Sequence, residues 1–500
     1  MGQPLAWQAA GDHVTIRGMR TATACLAFWF VLFFAGPCLA AGLRAGTASS
    51  IITPDVRGET IYLAGFGHNR VATGVHDDLY ARCLAVSTPS QRVVLCSVDL
   101  IGLFYDDVQR IRALFSAKAP PGSFLIVAAT HVHAGPDTLG LWGPSATQTG
   151  ASRPYLDWVC SRVAETALRA MSSLQSAYLE LGRDDHPLLA QLQSVDRPPY
   201  VHDPFLFVMR VVATSNDATI ATVVNWSDHP ETLGRGNLQI TSDYPNWVRS
   251  YLETKFGGLA IFFSGCIGKV SSLGADVSIQ DPETGKAAED GTWRKAELLG
   301  TTIAQLAERA LVKARRAEPD SVALRKAVVF VPLANEHFRV AEALDLLLGR
   351  KPLYSNEKLD HGVVEQTAPE IGTLRVPTGR DLQTEVDYLQ LRKAGQVLAE
   401  IVTVPGEIYP ELVNGGITRY VGADYAEAPF EPTLRARFKS QYQFVLGLGN
   451  DELGYLIPKA EWDSQPPWLQ NRPQAWYGEI NSVGPDVAGV ILRALVGLMR

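Results

Sequence analysis

Short runs of Val, Ile, Leu, Ala and Phe alternate along this chain with longer segments whose apolar residues recur at helical spacing. Arg92 to Leu100, Ser123 to Ala129, Phe205 to Ala213, Thr219 to Val224 and Leu259 to Phe263 have the length and β-branched content of strands. Asp106 to Lys118, Pro154 to Gln175, Asp243 to Phe256 and Trp293 to Ala314 read as helices. The alternation predicts an α/β fold with a mixed β-sheet core and flanking helices. It never breaks at a linker, so residues 41–500 are expected to form one large domain rather than the two or three that length alone allows. Residues 335–383 are more polar, with Leu346, Leu347 and Leu348 in a short helix, and read as an insertion near the surface. Val487 to Met499 reads as a terminal helix facing the core, with a membrane-contacting helix as the alternative.

The ends of the apolar runs carry the chemistry. Ser123 to Ala129 is followed by Thr130-His131-Val132-His133-Ala134-Gly135-Pro136. In an extended strand two histidines at this spacing face one side, and Gly-Pro leaves them at the carboxyl edge, where α/β sheets bind ligands. A second strand end carries Asn225-Trp226-Ser227-Asp228-His229-Pro230. Val397 to Val404 runs into Pro405-Gly406-Glu407, and Phe444 to Leu448 into Asn450-Asp451-Glu452-Leu453-Gly454-Tyr455. No Cys-x-x-Cys pair exists, so any zinc site here uses nitrogen and oxygen ligands.

In this order the motifs resemble the neutral, non-lysosomal ceramidase family, and the resemblance covers most of the chain. Leu43 to Ala48, Ile52-Thr53-Pro54 and Gly74 to Arg82 are similar to that family's opening strands. The resemblance implies one Zn2+ per chain held by His131, His229, Glu407 and Tyr455, with His133 as general acid/base. A zinc centre of this type lowers the pKa of water to near ~7. It also implies that Arg197 and Tyr477 face the catalytic pocket, although a surface salt bridge and a half-buried core aromatic describe them equally well. Ser271 matches the family's catalytic-loop serine, as nucleophile or as hydrogen-bond donor. Two departures stand out. The family's Gly-Asp-x-Ser-Pro loop is Gly268-Lys269-Val270-Ser271-Ser272 here, and the chain ends at Arg500 without the C-terminal β-sandwich domain of many ceramidases.

Composition narrows the alternatives. With 46% hydrophobic and 19% charged residues among 500, the chain has ample core for a globular protein. A net charge of −7 without a basic run gives no support for nucleic-acid binding. Arg17 and Arg20 precede the apolar run Ala22 to Ala35, and Cys38-Leu39-Ala40 offers a cleavage site. Residues 1–40 therefore read as a signal peptide, with Met19 as an alternative start and export as the consequence. Removing them leaves Cys83, Cys96, Cys160 and Cys266. Cys83 and Cys96 flank the turn-like Thr88 to Gln91, as a cross-strand disulfide or as free thiols.

Asp99, as a second-metal ligand or helix cap, His76 and Asp243 are weaker candidates and stay outside the catalytic set. The expected function is an exported zinc amidohydrolase acting on ceramide or a related N-acyl lipid, a lipid-like partner met at a membrane surface. A metal-dependent ester or phosphoester hydrolase and a non-catalytic binding relative are the alternatives. Oligomeric state is left open.

Overall fold

Three pairs of parallel strands organise the two large sheets, each at a sheet edge, and the functional motifs follow their carboxyl ends. A computed structural model describes residues 42–500 apart from 275, 349, 351–352, 360–369, 372–373 and 377. The segment read as a signal peptide lies outside the described residues.

The first sheet has nine strands. Across it run Leu259–Ser264, Thr219–Trp226, Leu206–Ala213, Gln175–Asp184, Arg44–Ile51, Tyr80–Ser87, Arg92–Val98 and Ser123–Ala129, with Arg315–Ala317 added to Gln175–Asp184. Its interior pairings are antiparallel, but Leu259–Ser264 runs parallel to Thr219–Trp226 at one edge, and Arg92–Val98 to Ser123–Ala129 at the other. Cys83 and Cys96 are direct partners between Tyr80–Ser87 and Arg92–Val98 and form a disulfide. Cys160 and Cys266 are buried free thiols.

The second sheet has six strands. Asp381–Lys393 lies between Ser321–Pro332 and Gln396–Thr403, and Gln396–Thr403 pairs in parallel with Gln443–Leu446. An apolar cluster drawn from both sheets, including Leu95, Ile126, Val223, Phe263, Ile401 and Phe444, fills the space between them. The helices Tyr105–Ser116 and Arg153–Ser172 bury their apolar faces against Tyr80–Ser87, Arg92–Val98 and Ser123–Ala129. Tyr244–Phe256 and Trp293–Val312 cover Leu206–Ala213, Thr219–Trp226 and Leu259–Ser264. Ser152, Asp243 and Thr292 cap three of these helices through their side chains, each satisfying a backbone N–H that the first turn leaves free. Val487–Met499 turns Val487, Ile491, Leu492 and Leu495 into the second sheet, so it is a core helix as its periodicity predicts.

The architecture is the expected α/β one, and residues from 41 onward form one compact unit. The segment 335–383 departs from expectation. Its helix is Glu336–Ala343, while Leu346 and Leu347 lie beyond it, buried against Phe104 and Leu139. Three consecutive leucines mark a packed turn here because both neighbouring surfaces are apolar.

The sheets meet at their parallel edges. Gly447 N–H donates to Ser264 O at 2.9 Å, and Ala128 bridges to Gly449. The Asn225 carboxamide joins three strands: it donates to Phe263 O (3.0 Å) and Val445 O (2.9 Å) and accepts from Val445 N (2.9 Å). This brings the loops after five strands to one place, on the carboxyl-end side that open α/β sheets use for ligands.

Candidate active site

His131 is the first residue where the expected strand geometry fails, and the failure is informative. Regular pairing ends at Ala129, and His131 has φ 66, the left-handed region rarely taken by a non-glycine residue. Its amide N–H donates to Leu100 O (2.9 Å) and its Nδ1 to Ile101 O (2.6 Å). A turn, and not the pleat, therefore brings His131 and His133 to one side. His229 follows Thr219–Trp226, and its Nδ1 donates to Val270 O at 2.5 Å. The amide of His133 donates to Pro230 O (3.1 Å), and Arg70 clamps His133 O (3.2 Å), so the two loops are tied together. Ring centroids are 5.0 Å apart for His131–His133 and His131–His229, and 5.3 Å for His133–His229.

A backbone carbonyl at Nδ1 fixes one proton of His131 and of His229 there and turns each Nε2 towards the same point, the arrangement that outer partners of metal-bound histidines commonly impose. Both Nε2 atoms turn to Glu407, at 3.5 Å from His131 to Oε1 and 2.9 Å from His229 to Oε2. Glu407 is placed by a two-residue parallel ladder in which it pairs in register with Tyr455, whose phenol also hydrogen-bonds its carboxylate. Ligand atoms of His131, His133 and His229 all lie within 4.8 Å of one another, a buried group that could hold a metal ion. The Nε2 of His133 is buried without a partner, which suits a group awaiting a ligand.

Electrostatics divide the three rings. Burial pushes His131 down to about 3 against the pull of Glu407, so it is neutral and able to ligate. Burial also opposes charge on His229, but the hydrogen bond to Glu407 and the carboxylate of Glu231 win and raise it to about 10. Tyr455 is held well above the usual phenol range by burial and then by Glu407. Behind Glu407 the carboxyl of Glu452 is buried and raised far above the ordinary range, first by desolvation and then by the Glu407 charge.

The remaining expected site residues separate into two groups. Ser271 and Tyr477 line the same 610 Å³ cavity as His133, His229 and Tyr455. Arg197 is not among its lining residues: the guanidinium is buried, bonded to both oxygens of Glu479 (2.7 and 2.8 Å) and to Glu461 O (2.8 Å). The ion pair is buried, so neither the pocket position nor a surface salt bridge describes it. Lys269 directs Nζ to Glu411 (2.7 Å) and Pro199 O (2.7 Å). Of the weaker candidates, Asp99 is taken up by Arg249 at 2.8 and 3.0 Å, Asp243 caps its helix, and His76 bonds Asp77 and stacks on Trp293.

Glu231 is the residue that sequence reasoning missed. Its Oε2 lies 3.1 Å from His133 Nδ1, with the ring turned off the hydrogen-bond line, and its Oε1 accepts from Ser271 Oγ at 2.5 Å. Burial works against its charge, yet the contact with His133, the His229 charge and the Ser271 bond bring it down to about 2. An acid two positions after a strand-end histidine was the available signal. Gly65 was also missed: at φ +99 it lies so close to His133 that a Cβ would meet the ring at 2.4 Å.

No family model matches the chain, and no curated protein matches it in sequence. Solved structures do. A ceramidase complexed with C2 superposes with a TM-score of 0.64 at 15% identity, covering 92% of this chain and 75% of that one. The neutral ceramidase from Pseudomonas aeruginosa gives 0.62 at 16% identity, covering 92% and 74%. At these identities the likeness is one of fold.

Proposed function

We propose that this chain is a zinc-dependent amidohydrolase that cleaves the N-acyl bond of ceramide or a related N-acyl lipid. One observation carries the reading: two buried imidazoles, each fixed at Nδ1 by a backbone carbonyl, present Nε2 to a shared carboxylate at the meeting point of two sheets. Those residues fit a metal, with His131, His229 and Glu407 as ligands and Tyr455 beside them. A zinc ion there would polarise an amide carbonyl and acidify water.

The protein groups around that centre suit amide hydrolysis. His133 is not fixed by a backbone carbonyl at Nδ1 and reaches a carboxylate instead, so it is the ring best placed to take up a proton and return it to the leaving nitrogen. The Tyr455 phenol hydrogen-bonds the Glu407 carboxylate and so steadies that ligand beside the cavity. Phe66, Leu141, Trp142, Phe338 and Ile480 give the cavity an apolar wall for acyl or alkyl chains. Its 610 Å³ lies in the usual range for small-molecule sites. A lipid substrate also favours work at a membrane surface after export. No helix among the described residues is long and apolar enough to cross a membrane.

The two-metal esterase reading has less support, because Asp99, its candidate carboxylate, is consumed by Arg249. The test is metal analysis of the purified protein, paired with hydrolysis of a fluorogenic N-acylsphingosine before and after chelation. One zinc per chain and chelator-sensitive fatty-acid release are expected. A metal-free active protein, or two metals per chain, refutes the assignment.

A further inference from the structure

Glu231 touches two polar side chains that line the cavity, His133 and Ser271. Its Oε2 is 3.1 Å from His133 Nδ1 and its Oε1 accepts from Ser271 Oγ. The carboxylate is about one-tenth exposed, and it sits on the loop between Pro230 and Thr232. That loop is rigid for identifiable reasons: Glu231 N donates to His229 O (2.9 Å), Pro230 O accepts from His133 N (3.1 Å), and Ser272 Oγ donates to His229 O (2.8 Å). His133 has no backbone partner for either ring nitrogen, in contrast to His131 and His229. Whatever orients its ring must be a side chain, and Phe66 and Gly65 supply only packing. Lys269 supplies nothing here, since its ammonium is bonded to Glu411 and Pro199 O.

We propose that Glu231 is a positioning residue that couples His133 and Ser271 into one unit: it holds the proton of His133 on Nδ1, so that Nε2 faces the cavity, and it fixes the Ser271 hydroxyl. The role of His133 rests on the hydrolase reading above, whereas the coupling itself does not. A carboxylate can accept from both donors at once, one oxygen for each. The 3.1 Å separation is within the heavy-atom reach that such a hydrogen bond requires, and a turn of the ring brings it into line. The arrangement also accounts for a serine loop without an acid of its own: the carboxylate beside Ser271 arrives from the His229 loop.

The proposal is tested on the full-length protein with Glu231→Gln, Glu231→Ala and wild type. Glutamine keeps the shape but can accept from only one donor, so kcat should fall by ~10–100-fold, the usual effect of losing an outer partner, with KM nearly unchanged and metal content unchanged. Formate should restore part of the lost rate in Glu231→Ala and none in His133→Ala. A second readout needs no turnover. In 15N-histidine-labelled protein, the His133 ring should be Nδ1-protonated in wild type and lose that preference in Glu231→Ala. An unchanged tautomer, or an unchanged kcat in Glu231→Gln, overturns the proposal, as does parallel loss of metal and rate. Wild-type protein with the Nδ1-protonated ring but no amidase activity would refute the substrate assignment and leave the coupling standing.

Discussion

Gly65→Ala probes the site without touching any polar group. A Cβ at residue 65 would lie 2.4 Å from His133 Cγ, 2.5 Å from Nδ1 and 2.7 Å from Cβ. Ordinary carbon contacts need about 3.5–4.0 Å, so the ring must retreat by roughly 1 Å. The ring cannot absorb this freely, because Phe66 packs edge-on against it at 4.9 Å and its backbone is held by Pro230 and Arg70. A misplacement of about 1 Å in a catalytic group costs ~100-fold in rate, equivalent to about 2.7 kcal/mol of barrier. The positive φ of 99° adds a stability penalty of about 1 kcal/mol for a residue with a side chain. We expect kcat on a fluorogenic N-acylsphingosine to drop ~100-fold while zinc content stays at the wild-type level, because the three atoms nearest the added Cβ all belong to His133. A kcat within about threefold of wild type would refute the general acid/base role of His133. Loss of zinc would show instead that His133 is a ligand.

Four further outcomes follow from the same geometry. His131→Ala and His229→Ala should abolish metal binding, and His133→Ala should retain metal and lose turnover; inductively coupled plasma analysis of each variant decides it. Arg197→Ala leaves Glu479 as an uncompensated buried charge, so denaturant unfolding should show a loss of about 3–5 kcal/mol, with the kcat of folded protein little changed. A selective kcat defect would return Arg197 to the pocket. Replacing Cys83 and Cys96 together by serine opens a bridge of sequence separation 13 and should cost about 3 kcal/mol in the chain-entropy account, read as a fall in Tm. Burial, ahead of the opposing Arg350 charge, raises the Asp106 carboxyl from 3.8 to about 7, so its contribution to stability is full below the unfolded value and lost as pH rises towards 7. Asp106→Asn cannot ionise, and its Tm advantage over wild type should grow between these limits; a constant difference refutes the shift.

Sequence was most readable where structure is local. The strand runs, the helix caps and the motifs at strand ends depend on neighbours in the chain, and most of these elements appear where periodicity placed them. Ser321–Pro332 was harder, because Arg325 and Lys326 interrupt its apolar residues and Val328 is exposed. Partners remote in sequence were not readable at all. Nothing in Asp196-Arg197-Pro198-Pro199 announces Glu479, 282 residues away. Lys269 looked like a lost acid until the fold placed Glu231 next to Ser271, 40 residues apart. His131 shows the same limit: its left-handed backbone is set by Leu100 and Ile101, not by its own segment.

The candidate ligands follow strands of two sheets, His131 and His229 those of the first, Glu407 and Tyr455 those of the second, with His229 and Glu407 separated by 178 residues. An ion bound among them would be a rivet between halves already joined by a shared apolar core and by carboxamide and backbone bonds. A growing chain that has made both imidazoles still has no complete coordination sphere until the later sheet is finished and docked. Metal uptake would then be a late event in maturation, and a retained ion the signature of a fully assembled chain.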